Sequence, residues 1–164
     1  REKHNIINFL KYPTRITYIG RLDKDSEGLL LMTNNGDIIN KMMRAGNMHE
    51  KEYKVTVNKP ITPEFIEKMA GGVPILDTVT RKCEVEMIGK YKFRIVLTQG
   101  LNRQIRRMCE YLGYKVTRLE RIRVMNIELG NLKPGEYREV TEEELKTLYE
   151  MIQDSSNETV IPKK

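Results

Sequence analysis

Between Lys51 and Asn58 the side chains alternate, Tyr53, Val55 and Val57 on one face and Lys54, Thr56 and Asn58 on the other. That period-two pattern predicts a half-buried strand. Leu29–Thr33 is a continuous apolar run of strand length, closed by the turn residues Asn34, Asn35 and Gly36, and Ile16–Ile19 predicts a shorter strand running into Gly20. Val79–Met87 and Tyr91–Thr98 flank Gly89 as the arms of a hairpin. Helical spacing is carried by Ile38, Ile39, Met42 and Met43, with Gly46 placed to end that helix. Thr62 and Pro63 fit the cap and first turn of a second helix that carries Phe65, Ile66 and Met69 inward. A short helix is also expected over Asn5–Tyr12, ended by Pro13.

The strongest periodicity lies between Asn102 and Gly113, where Ile105, Met108, Cys109 and Leu112 repeat at i, i+3, i+4 and i+7. Asn102 is the expected cap and Gly113 the stop. A step of about 100° per residue gathers Arg103, Arg106, Arg107 and Glu110 on the opposite face. A bulged strand over Tyr114–Ile127 follows, then a helix opened by the capping box Thr141/Glu144 and carrying Leu145, Leu148 and Ile152. Strands and helices mingle without a strict βαβ rhythm. The expectation is an α+β fold, a mixed and mostly antiparallel sheet flanked by helices, with residues 1–152 as one domain and 153–164 as a polar tail.

Composition narrows the function classes. The 164 residues include only two cysteines, Cys83 and Cys109, which excludes a disulfide-dense scaffold and reads as packed, reduced thiols. With His4 and His49 they make no metal-ligand spacing, so no metal is expected. No apolar run approaches the roughly 20 residues that span a bilayer, so no membrane partner is expected and a soluble cytoplasmic protein is. The first residue is Arg1 rather than methionine, which suggests a chain taken from a longer one.

The net charge of +6 matters because it is concentrated. Leu101–Arg123 holds seven basic residues against two acidic ones, with Tyr111 and Tyr114 interleaved, whereas Glu136–Glu158 holds eight acids against two basic residues. The first segment fits a nucleic-acid backbone and the second a solvated face.

Gly20-Arg21-Leu22-Asp23-Lys24-Asp25-Ser26-Glu27-Gly28 sets three acids and an arginine between glycines. It can be read as a polar turn, as half of a calcium loop, or as a catalytic loop. Calcium is disfavoured because the twelfth loop position is Asn34 rather than a bidentate glutamate. For catalysis, Asp23, Asp25 and Glu27 are all local candidates.

Gly20-Arg21-Leu22-Asp23 with Ser26-Glu27-Gly28-Leu29-Leu30 resembles the active-site signature of the RsuA-type ribosomal RNA pseudouridine synthases. Lys51-Glu52-Tyr53-Lys54-Val55 resembles that family's tyrosine strand, and Gln99–Met108 its basic motif, with Leu119–Asn126 as the strand that follows. Gly-Leu-Asn-Arg-Gln-Ile-Arg-Arg-Met and the Arg-Ala-Gly-Asn at residues 44–47 look nearest to the large-subunit synthase F branch. Family members normally carry an S4 RNA-binding domain and further strands before the aspartate motif; neither is in this chain.

The resemblance implies an isomerase acting on uridine in a 23S ribosomal RNA stem-loop, with transfer RNA as a second substrate, working as a monomer without a cofactor. It places the catalytic carboxylate at Asp23, as nucleophile or as base toward the ribose 2′ position, with Tyr53 against the flipped uracil. Arg106 aligns as the active-site basic residue and Arg103 as its runner-up. Arg21 is expected to orient the aspartate loop and, with Arg103, Arg107, Arg118, Arg121 and Arg123, to contact RNA. The competing reading is an RNA-binding or ribosome-assembly module that keeps the basic face and does no chemistry.

Overall fold

A computed structural model describes residues 16–44 and 49–160, with side chains through residue 152. The expected helix at Asn5–Tyr12, His4, Gly46 and most of the 44–47 motif lie outside the described residues. In chain order the elements are β1 (Thr17–Ile19), β2 (Glu27–Gly28), β3 (Leu31–Thr33), α1 (Gly36–Met43), β4 (Lys51–Val57), α2 (Pro63–Gly71) and β5 (Pro74–Ile75). They continue with β6 (Thr78–Val79), β7 (Glu84–Gly89), β8 (Lys92–Leu97), α3 (Gln104–Tyr111), β9 (Val116–Val124), β10 (Ile127–Glu128) and α4 (Glu142–Val160). Pairing is antiparallel except where β2 runs parallel to β9. The α+β expectation stands.

The described residues form two compact units. In the smaller, β1 pairs with β3 and α1 packs on this ribbon and on α4. Asn35 caps α1 by accepting from the Asp37 amide at 2.9 Å, and Ile38, Met42, Leu148 and Ile152 are buried. The capping box of α4 closes reciprocally: Glu144 N donates to Thr141 Oγ1 at 3.1 Å, and Thr141 N to Glu144 Oε1 at 2.9 Å. The α4 backbone continues to Val160, so helix occupies residues assigned to the polar tail.

The larger unit, residues 23–29 and 49–130, is built on the sheet order β10-β9-β4-β8-β7, with β2 added beside β9. Alternation sends Val55 and Val57 from β4 and Phe93, Ile95 and Leu97 from β8 to one face. There α2 contributes Phe65 and Met69, and α3 contributes Ile105, Met108 and Cys109. The Phe65 and Phe93 rings meet edge to face at 5.4 Å. The other face is charged. Arg94 bridges Glu52, Glu84 and Glu86, and Arg123 holds Glu52 at 2.7 Å and Glu50 at 3.1 Å. Burial pushes the Glu52 carboxyl up, but the hydrogen bonds from Arg123 and Arg94 together bring it below its ordinary value.

Several boundaries differ from the sequence pattern. The apolar run Leu29–Thr33 is not one strand, because Leu29 N bonds to Arg121 O at 2.8 Å, as an extension of β2, while Leu31–Thr33 pairs with β1. The span Val79–Met87 is divided in the same way: Val79 closes a small β5–β6 hairpin, and β7 begins only at Glu84. Arg103, not Asn102, is the cap residue of α3; it takes a left-handed φ of 48° and makes no side-chain cap bond. Asn102 instead accepts the Arg107 guanidinium through both its carbonyl and its side chain. The strand expected over Tyr114–Ile127 ends at Val124, and β10 turns back against it.

Candidate active site

Gly28 docks the acidic turn onto the sheet. Its φ is +114°, and a Cβ there would lie 2.2 Å from Arg121 O and 2.6 Å from Arg121 N. Only a glycine lets β2 approach β9 this closely. The contact is reinforced from the side chain, since Arg121 Nε donates to Leu29 O at 3.0 Å. Within the turn Ser26 N donates to Asp23 O at 2.9 Å, and Arg106 Nη2 donates to Asp25 O at 2.6 Å. Asp23 itself is exposed.

β4 and β9 bring Tyr53 directly opposite Arg121. Arg121 is 4% exposed, a buried guanidinium beside a phenol. Burial pushes the Tyr53 hydroxyl above its ordinary value; Arg121 opposes that shift, and the Asp23 carboxylate adds to it. Burial likewise lowers Arg121, with Tyr53 acting the other way. Asp23, Tyr53 and Arg121 are therefore electrostatically coupled: a carboxylate open to an incoming ligand, an aromatic face with a polar tip, and a desolvated cation beneath.

The sequence profile of the family described as RNA pseudouridylate synthase matches residues 2–111. The chain belongs to that family. It is 59% identical over 157 residues to the dual-specificity RNA pseudouridine synthase RluF of Salmonella typhi, and 57% identical over the same length to that of Escherichia coli K12. Each alignment covers 96% of this chain and 54% of the relative, so the chain spans about half the length of these curated relatives. A solved structure described as a pseudouridylate synthase superposes with a TM-score of 0.82 at 30% identity, covering 87% of this chain and 64% of that one.

Within this synthase fold the expected site residues divide. Asp23 and Tyr53 are brought together. Arg106 lies against the aspartate loop, but its guanidinium holds the Asp25 carbonyl, and its Nε is buried without a hydrogen-bond partner. Arg103 approaches the Asp25 carboxylate at 3.7 Å. Arg121, expected on the RNA-facing surface, is instead interior, because its strand position faces Tyr53 and the core. Arg123 is half-buried and committed to Glu50 and Glu52, and Arg118 is exposed but paired with Glu27 at 3.0 Å, which holds that carboxyl below its ordinary value. Arg107 folds back on Asn102, and Arg21 is exposed.

Arg121 is thus buried where the sequence reading expected an RNA contact. One signal could have placed it. Leu119 is apolar and inward, so plain alternation sends Glu120 out and Arg121 in. Arg123 would follow Arg121 inward, but β9 is bulged opposite Glu52/Tyr53: Glu52 pairs with Arg123 and Tyr53 with Arg121, leaving Ile122 extra. The bulge therefore puts two arginines spaced i, i+2 on opposite faces.

Proposed function

We propose that the chain isomerises uridine in a 23S ribosomal RNA stem-loop to pseudouridine, with transfer RNA as a second substrate, as a cytoplasmic monomer. The observation that carries this reading is the coupling of Asp23, Tyr53 and Arg121 around the loop docked by Gly28. The named activity of the RluF relatives supports the same substrate class. Among the described residues no helix is long and apolar enough to cross a membrane, which fits an RNA-directed role.

In this reading the target nucleotide leaves its stack and enters beside Asp23. The carboxylate acts at the ribose, the C1′–N1 bond breaks, the uracil turns, and a C1′–C5 bond forms. The C5 proton is lost to solvent and N1 ends protonated, so no redox or group-transfer partner is needed. Tyr53 offers its ring to the uracil. With its hydroxyl held neutral by burial, it is placed to relay the C5 proton. Arg121 keeps the region positive, which favours a developing negative charge on the detached uracil. Arg106 and Arg103 hold the loop through Asp25.

Tritium release from RNA labelled at uracil C5 tests the proposal. Conversion by this chain that disappears in Asp23→Asn, with RNA affinity retained, is the expected result. An Asp23→Asn variant as competent as the parent would instead favour the non-catalytic RNA-binding module.

A further inference from the structure

Acids meet several of the half-buried cations of this protein. Arg94 has Glu52, Glu84 and Glu86; Arg123 has Glu50 and Glu52; and Lys41 has Asp37 at 3.3 Å. Lys51 is an exception. It opens β4, with Leu97 and Val124 as its strand partners, both 5% exposed. Its own side chain is half-buried, and among the described residues no hydrogen bond or ion pair engages it. Burial pushes the ammonium below the ordinary lysine value, and the charge that acts on it, the Arg121 guanidinium, has the same sign.

By strand alternation Lys51 shares a face with Tyr53, two residues on. The site thus holds two neighbouring, partly desolvated cations, with the exposed Asp23 carboxylate as the acid that acts on it. Desolvated, like-charged neighbours cost free energy, and packing does not require a lysine here, since an apolar side chain would suit Leu97 and Val124 better. A half-dry, unpaired ammonium that is a compact point charge matches a phosphate rather than a planar bidentate acceptor. RNA carries its formal charge on phosphates, and extruding a nucleotide swings the adjoining backbone toward the pocket.

We infer that Lys51 binds the backbone phosphate of the flipped uridine, neutralising that phosphate when the nucleotide reaches Asp23. This rests on the reaction proposed above. The residue belongs to substrate binding and takes no part in bond making.

The test uses the full chain, a 23S stem-loop RNA, and the variants Lys51→Gln and Lys51→Arg, each checked by thermal melting. For Lys51→Gln the expected results are a KM raised about tenfold or more, a kcat within about threefold of the parent, and a salt slope of binding smaller by about one. Lys51→Arg, which keeps the charge, should recover most of the KM. Replacing the phosphate at the target nucleotide with a neutral methylphosphonate should cost the parent as much as the mutation does, and cost Lys51→Gln nothing more.

An unchanged KM and salt slope in Lys51→Gln would overturn the inference, as would a fall in kcat at constant KM or additive effects of mutation and methylphosphonate. If Lys51→Gln does not fold, a methylphosphonate that leaves the parent unaffected at both phosphates flanking the target overturns it. A parent that binds the RNA but forms no pseudouridine would refute the reaction, and the salt slope and the phosphate replacement would still decide Lys51.

Discussion

Replacing Gly28 by alanine separates the docking of the aspartate loop from the stability of the sheet. The added Cβ would sit 2.2 Å from Arg121 O and 2.9 Å from Arg121 C, and backbone in the middle of a paired strand cannot yield as a flexible side chain does. An L-residue at a φ of +114° adds strain of about 1–3 kcal/mol on its own. The cheaper relief is to undock β2, surrendering the Leu29 N–H···O Arg121 bond and the charged bond from Arg121 Nε. Together these are worth about 2–4 kcal/mol. At 1.36 kcal/mol per tenfold, those bonds favour docking about 30- to 1,000-fold in the parent, and the overlap of the added Cβ with backbone removes that preference. The single-turnover rate of pseudouridine formation is expected to fall with it. The cost is local to one short strand, so the melting temperature should move by at most a few degrees per kcal/mol. The assay is single-turnover conversion together with hydrogen exchange at the Leu29 amide. A Gly28→Ala protein that keeps the parental rate and a protected Leu29 amide would refute the reasoning.

Thr62→Ala removes the side chain that accepts from Phe65 N at 3.1 Å at the start of α2, and should cost about 1 kcal/mol. Calorimetry should show this as a drop of about 2–4 °C with conversion unchanged. Arg138 and the Thr141 backbone hold the Glu144 carboxyl down to about 2. Its stabilising contribution is present above the unfolded value near 4.5 and is lost as pH falls toward 2. Melting temperatures of Glu144→Gln should therefore fall less steeply than the parent's over that window. Burial pushes the Cys83 thiol up to about 11 and the Cys109 thiol up to about 12, so both stay protonated at neutral pH. Ellman's reagent should find two thiols in denaturant and react slowly with the native protein, Cys109 last.

Where residues repeat at a fixed period, the fold was readable in the sequence. Val55 and Val57 on β4, Phe65 and Met69 on α2, and Ile105, Met108 and Cys109 on α3 are all inward as their spacing implies. The Thr62 cap and the Thr141/Glu144 box form as their residue types demand. The failures share a cause. An apolar run states that a segment is buried but not which strand it pairs with, so Leu29–Thr33 gave no sign of serving two partners. The β5–β6 turn uses Leu76 and Asp77 at positive φ (48° and 61°) where an Asn-Gly pair would have announced a hairpin. In the candidate site, Asp23 and Tyr53 were singled out through motif resemblance. Arg121 was misplaced because seven basic residues in one segment look alike until burial and register sort them, and Lys51 was passed over because a lysine heading a strand ordinarily points to solvent.

The bulge in β9 gives one position an unusual kind of freedom. Ile122 has no opposite number on β4, so no cross-strand partner there constrains its type. Exchanging Ile122 for another side chain would leave the frame of the strand intact. Deleting it would make Arg121 and Arg123 consecutive, so plain alternation would still hold them on opposite faces against Tyr53 and Glu52, and the strand would lose only its bulge and the local twist that goes with it. A residue lost at this point is thus absorbed like slack taken up in a rope, whereas one lost from the regularly paired part of β9 would turn every side chain beyond it to the other face.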